Sequence, residues 1–209
     1  MKMIIFGATG KTGRQVVQQA LEQGHEVTAF VRSPQKLNQK HENLQVMKGD
    51  VRDYDSVKRA IQGQDAVICT LGMPPQDKTS VRANGTEKII KAMEETGVKR
   101  FICQSTYGVG KTRSALPFLM KYLIVPLFLK RAFADHEVQE EKVKESLLDW
   151  IIVRPTALTD GEYVGRYQQG ELFDKKRVTF KISRADTADF MLKQLVETNH
   201  LHKTIGISY

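Results

Sequence analysis

Gly7-Ala8-Thr9-Gly10-Lys11-Thr12-Gly13 is the stretch that decides how this chain of 209 residues is read. The apolar run Met3 to Phe6 precedes it and reads as a strand. A helical pattern from about Lys11 to Gln23 follows, with Val16, Val17, Ala20 and Leu21 on one face and Gly24 as its stop. In a strand–turn–helix unit the three glycines play separate parts. Gly7 permits the tight turn, Gly10 lets backbone approach a pyrophosphate, and Gly13 lets the helix pack against the strand. The N–H groups of the first helical turn, with the helix dipole, then stabilise an anion. A glycine triplet alone is no more than a glycine-rich turn. In this context it predicts a dinucleotide-binding loop of Gly7, Thr9, Gly10, Lys11, Thr12 and Gly13. It is not a Walker loop, because Lys11 lacks a second glycine at the required distance before it.

Outward from this loop, short apolar runs and helical patterns alternate. Strands are expected at Glu26 to Val31, Leu44 to Met47, Asp65 to Thr70, Lys99 to Ser105 and Trp150 to Val153. Helices are expected up to Ile61 with Asp53 or Asp55 as cap, from Thr79 to Thr96, and from Glu137 to Leu148. Near the end come a possible strand at Val178 to Ile182, a helix from Ala185 to Glu197 with Ser183 and Asp186 spaced as a capping box, and a strand at Ile205 to Ser208. Repeated strand–helix order with right-handed crossovers implies an α/β, doubly wound parallel sheet, a Rossmann fold, in a single domain over residues 1–209. A small C-terminal region, about 154–183, is expected on the substrate side.

Composition agrees with a globular chain: 41% hydrophobic and 27% charged, with 6 Pro and 15 Gly, which argues against disorder. Cys69 and Cys103 are too few for a disulfide framework, and neither sits in a zinc-type pattern, so no metal is expected. Both lie in apolar runs and read as buried, reduced thiols in neighbouring strands. The net charge of +8 comes from Lys and Arg spread along the chain, without a nucleic-acid module. The N-terminal apolar run is too short for a signal peptide. The most apolar segment, Leu116 to Leu129, contains Lys121, Pro117 and Pro126 and is too short to span a bilayer. It reads either as a helix packed on the sheet edge, or as a lid or wall for a flat substrate or a dimer contact. A cytoplasmic protein, monomer or homodimer, is expected.

The end of the second strand bears on the choice of nucleotide. A carboxylate there binds the ribose hydroxyls of NAD, and an arginine pairs with the extra phosphate of NADP. The sequence reads Phe30-Val31-Arg32-Ser33-Pro34-Gln35-Lys36. Arg32 can grip a phosphate with two parallel hydrogen bonds, Ser33 can donate another, and Lys36 adds charge. NADP is therefore expected, with NAD possible. Asp50, followed by Val51, ends the third strand and can face the adenine; Leu71 and Gly72 follow the fourth strand, where backbone passes a cofactor.

The phosphate loop, with Glu26 to Arg32, Gly49-Asp50-Val51 and Gly63-Gln64-Asp65-Ala66-Val67-Ile68, resembles the atypical short-chain dehydrogenase/reductase family, most nearly its biliverdin reductase B, or NADPH-dependent flavin reductase, type. The resemblance continues through Gly97-Val98-Lys99, Asp135-His136, Glu145-Ser146 and Phe190-Met191-Leu192. It implies a nicotinamide-binding domain reducing flavins or other planar acceptors, with Ser105 beside the nicotinamide and His136 on the substrate side. A second histidine of that type is replaced by Ala157, and residues 108–131 depart from the pattern.

Many short-chain dehydrogenases use Tyr-x-x-x-Lys on a helix, where the ammonium lowers the phenol's pKa. Tyr107 and Lys111 have that spacing, but Gly108 and Gly110 between them disfavour helix. The family places the pair well downstream, on the next long helix, where the resemblance puts Ala132 and His136 at roughly the matching positions, so the tyrosine acid is absent. A flavin, quinone or tetrapyrrole delocalises the incoming charge and needs no such acid. The expectation is an NADPH-dependent oxidoreductase passing hydride to a planar acceptor such as FMN or a quinone, with Ser105 orienting the nicotinamide and His136 a possible proton donor. His136 reads equally as a surface residue ion-paired with Glu140. The alternative function is a catalytically silent sensor of NAD(P).

Overall fold

A computed structural model describes residues 1–72, 79–174 and 178–209. Its strands are β1 (Lys2–Phe6), β2 (Glu26–Val31), β3 (Leu44–Lys48), β4 (Ala66–Cys69), β5 (Arg100–Gln104), β6 (Asp149–Pro155), β7 (Ala157–Thr159), β8 (Gln168–Gly170), β9 (Lys181–Ser183) and β10 (Lys203–Ser208). The main sheet has eight strands in the order β3-β2-β1-β4-β5-β6-β10-β8. All its pairings are parallel except that of β8 with β10. The order reverses beside β1, and at this switch point the carboxyl ends of β1 and β4 part to leave a crevice. A separate parallel pair joins β7 to β9.

Among the described residues, five α-helices cover both faces: α1 (Lys11–Glu22), α2 (Tyr54–Ile61), α3 (Val81–Thr96), α4 (Lys130–Glu145) and α5 (Arg184–Lys193). The central strands are apolar on both sides because both faces are covered. One core packs α1 and α5 against Met3, Ile5, Ile68, Ile102 and Ile151, and the other packs α2, α3 and α4 against Ile4, Phe6, Val67, Phe101 and Ile152. Cys69 and Cys103 are paired in register across β4 and β5, both buried and free.

Three helix ends and one edge of the sheet differ from the sequence expectations. Helix α4 begins at Lys130 rather than Glu137, because Lys-Arg-Ala-Phe-Ala supports helix and the preceding apolar run hid its start. Helix α5 ends at Lys193, and α3 starts at Val81 after Ser80 in a left-handed conformation (φ 49°). The short strands β7 and β8 carry no alternating apolar pattern and are not marked in the sequence; β8 adds an antiparallel edge to the doubly wound parallel sheet.

The segment Met120–Leu129 is π-helical, contains Pro126, and runs straight into α4. Its main packing neighbour is α4. Val125 is buried, together with Tyr107, Val109, Leu116 and Phe133, in a small third cluster.

Candidate functional site

The loop after β1 has the geometry its glycines require. Gly7 has φ +84°, and a Cβ there would stand 2.4 Å from the Thr70 carbonyl oxygen at the end of β4. A Cβ on Gly13 would stand 2.2 Å from the Gly7 oxygen, so α1 closes on β1 only because residue 13 is bare. The Gly10 N–H donates to Gly7 O at 2.9 Å, which shapes the turn. No side chain caps α1 at Gly10, so its first-turn N–H groups remain available to an anion. This cradle fits a dinucleotide pyrophosphate.

Two cavities open from the loop. The smaller, about 360 Å³, lies on the β2–β3 side and is lined by Gly7, Thr9, Gly10, Arg32, Lys36, Asp50 and Val51. The larger, about 540 Å³, lies on the β5–β6 side and includes Lys11, Thr12, Ser105 and His136. Gly10, Leu71 and Gly72 border both. The expected residues thus fall into two groups along one crevice. Gly13 lines neither cavity and acts through packing. Ser33 also lines neither; it precedes the tight turn Pro34–Lys36 and its side chain makes no capping bond.

Asp50 Oδ1 accepts the Arg52 N–H at 2.9 Å, which fixes the turn after β3. Lys11 Nζ meets Asp160 at 2.6 Å, and Arg184 Nη1 meets the same carboxylate at 2.5 Å. Both cations line the larger cavity, and Asp160, lowered from the usual carboxylate range chiefly by its bond to Lys11, holds them together.

Behind Ser105, which lines the larger cavity, lies a buried polar network that sequence reading missed. Glu140 of α4 is 1% exposed. Its carboxylate accepts from Ser105 Oγ at 2.7 Å, from Arg154 Nε at 2.7 Å and Nη2 at 2.5 Å, and from Lys144 Nζ at 2.9 Å. Burial raises the Glu140 pKa, but Arg154 and the other donors outweigh that, and it stays below the usual carboxylate value. Arg154 Nη1 reaches Thr112 Oγ1 at 3.4 Å, and that oxygen accepts the Gly108 N–H at 2.8 Å. One chain of bonds therefore links the ends of β5 and β6, helix α4 and the loop after β5. A signal existed: Arg154 ends the apolar strand Trp150-Ile151-Ile152-Val153, where an unpaired cation would be costly.

His136 is 8% exposed and lines the larger cavity. This corrects the reading of a surface residue paired with Glu140, whose charge is matched by Arg154 and Lys144. Its Nδ1 lies 3.0 Å from Gln139 Oε1, while Gln139 Nε2 donates to Thr86 Oγ1 at 3.0 Å. Burial, followed by the charge of Arg82, pushes the His136 pKa down to about 3. The ring is neutral at ordinary pH. With Gln139 oriented in this way, Nδ1 carries the proton and Nε2 is left as an acceptor.

Gly108 (φ +104°) and Gly110 (φ +56°) turn the chain between Tyr107 and Lys111, so the two do not share a helical turn. The Tyr107 ring stacks on Phe173, and its hydroxyl accepts the Phe173 N–H at 3.2 Å. Burial pushes its pKa up. The apolar side of the cavity comes from Leu116, Pro117, Met120, Leu129 and Phe133, so the segment left open by the sequence is a wall of the site.

A family model described as NAD(P)H-binding matches residues 7–198. The chain belongs to this family. A chloroplastic protein of Arabidopsis thaliana, itself uncharacterised, is 30% identical over 78% of this chain and 61% of its own length, so the chain spans about three fifths of that relative. The crystal structure of an oxidoreductase from Lactococcus lactis superposes with TM-score 0.85 at 22% identity, covering 100% of this chain and 90% of that one. An anaerobillin reductase from Escherichia coli O157:H7, ChuY, superposes with TM-score 0.81 at 21% identity, over 100% and 97% of the two chains. Both likenesses establish the Rossmann fold. Among the described residues, no helix is long and apolar enough to cross a membrane, and no group of three His, Cys, Asp or Glu could hold a metal ion.

Proposed function

We propose that this chain is an NADPH-dependent reductase that passes hydride to a planar conjugated acceptor, a flavin, quinone or tetrapyrrole, held in the larger cavity. The observation that carries this reading is the position of that cavity: roomy, largely apolar, and contiguous with the phosphate cradle through Gly10, Leu71 and Gly72. Gly7, Thr9, Gly10 and Thr12 would hold the pyrophosphate, Arg32 and Lys36 a 2′-phosphate, and Asp50 with Val51 the adenosine end. When bound, the nicotinamide supplies the hydride.

The chain's own residues supply position. Ser105, its hydroxyl proton committed to Glu140, offers lone pairs to a carboxamide in the larger cavity. His136, neutral and with Nε2 free to accept, orients a ring N–H or hydroxyl of the acceptor rather than serving as an imidazolium acid, and water provides the final proton. Residues Pro155, Thr156, Ala157, Leu158 and Phe180, from the 154–183 region, complete the substrate side.

The test is loss of NADPH absorbance with FMN, riboflavin, a soluble quinone and a linear tetrapyrrole, beside titrations with NADPH and NADH. Turnover on any of them, with Arg32→Ala weakening NADPH more than NADH, supports the reading. Equal affinities unchanged in Arg32→Ala remove the NADP preference. Tight binding with no turnover on any acceptor favours the sensor function instead.

A further inference from the structure

The outer face of the cavity wall carries a run of apolar side chains that nothing among the described residues covers. Phe118 is 78% exposed, Phe128 77% and Leu127 65%, and Leu119, Tyr122 and Leu123 are also exposed. The opposite side of the same segment faces the cavity through Pro117, Met120 and Leu129. Contiguous exposed apolar side chains of this size mark a surface that something covers.

Charge indicates what covers it. Residues 109–134 contain no Asp or Glu, while Lys111, Arg113, Lys121, Lys130 and Arg131 lie within or beside the patch. None of the five enters an ion pair among the described residues. Lys121 Nζ lies 5.0 Å from the Tyr122 ring centroid, an aromatic–cation pairing suited to a water–lipid boundary. A second copy of this chain is a poor match: a two-fold interface would set five cations against five. An anionic bilayer surface matches both properties, taking aromatic and leucine side chains among its acyl chains and cations among its headgroups. We infer that residues 111–131 dock this protein peripherally on anionic membranes, with Phe118, Leu127 and Phe128 inserted and the five cations on the phosphate layer. This inference does not depend on the chemistry assigned to the cavity.

The experiment is co-sedimentation of the full chain with vesicles of phosphatidylcholine, with and without one-third phosphatidylglycerol, alongside sedimentation velocity of the free protein. Binding to the anionic vesicles, weakened by salt, is expected. Lys130→Glu with Arg131→Glu is expected to weaken it at least about tenfold, since each basic residue near such a surface contributes roughly a fivefold factor. Phe118→Ser with Phe128→Ser is expected to abolish it. Leu147→Ser removes a still more exposed leucine (88%) outside the segment and is expected to change nothing. No binding to anionic vesicles overturns the inference. So does binding that both double variants retain while melting as the parent does. A dimer dissolved by Phe118→Ser with Phe128→Ser, without vesicle binding, also overturns it and assigns the face to a second copy.

Discussion

Glu140 and Asp160 are both carboxylates with two cationic partners, and burial makes their consequences opposite. Glu140 is enclosed with Arg154, whose side chain is only 8% exposed, so its guanidinium is left largely buried without a counter-charge once its partner is neutral. Glu140→Gln is therefore expected to destabilise by about 3–5 kcal/mol in urea unfolding, and Glu140→Gln with Arg154→Met by less. Asp160 is exposed, so its pairs contribute little to stability. Its removal frees Lys11 and Arg184 beside the phosphate loop. Asp160→Asn is expected to leave the melting temperature unchanged and to tighten NADPH binding a few-fold, read by calorimetry; weaker binding would show that the carboxylate preorganises Lys11. Neither partnership was legible in sequence, because Glu140 and Arg154 come together only through the fold, as do Lys11 and Asp160, 149 positions apart.

At the level of elements, local signals did well where local physics decides. Of the two caps offered for α2, Asp53 is the one used, its Oδ1 accepting from Asp55 N–H, and at α5 Ser183 Oγ accepts from Asp186 N–H while the Ser183 N–H turns to the Tyr209 hydroxyl, so only the forward half of the capping box forms. Helix α3 is different. Ser80 before it makes no capping bond, and the cap comes from α4: Asp135 accepts from Ala83 N–H at 3.1 Å, Arg82 N–H at 3.3 Å and Arg82 Nη1 at 3.4 Å. No sequence window around α3 contains that information. Removing the carboxylate uncaps a helix and strands the largely buried Arg82. Asp135→Ala is accordingly expected to cost about 2–4 kcal/mol, more than the roughly 1 kcal/mol of an ordinary cap, and Asp135→Asn clearly less. Equal losses would mean that packing, not capping, is what Asp135 provides.

For the whole molecule, the alternation of strand and helix revealed the doubly wound sheet because that order depends on short-range hydrophobic period. The antiparallel edge strand β8 and the π-helical wall escaped because neither follows such a period. Stability should carry the imprint of His136. The folded chain keeps this ring neutral down to about pH 3, whereas an unfolded histidine takes up a proton below about 6.5. The unfolded state then binds more protons, so stability falls as pH drops through this window, by about 2 kcal/mol between pH 7 and pH 5 from this group alone. Urea unfolding at the two pH values should show a smaller drop in His136→Gln; an unchanged drop would place the dependence on other groups. The bond chain from Ser105 through Glu140, Arg154 and Thr112 to Gly108 has a different kind of consequence. It cross-braces one end of the guest chamber against the spot where a nicotinamide would sit. In the proposed reductase, a guest too wide for the chamber would meet this braced polar end on one side and the apolar wall of Pro117, Met120 and Leu129 on the other, so guest width would be read at that wall.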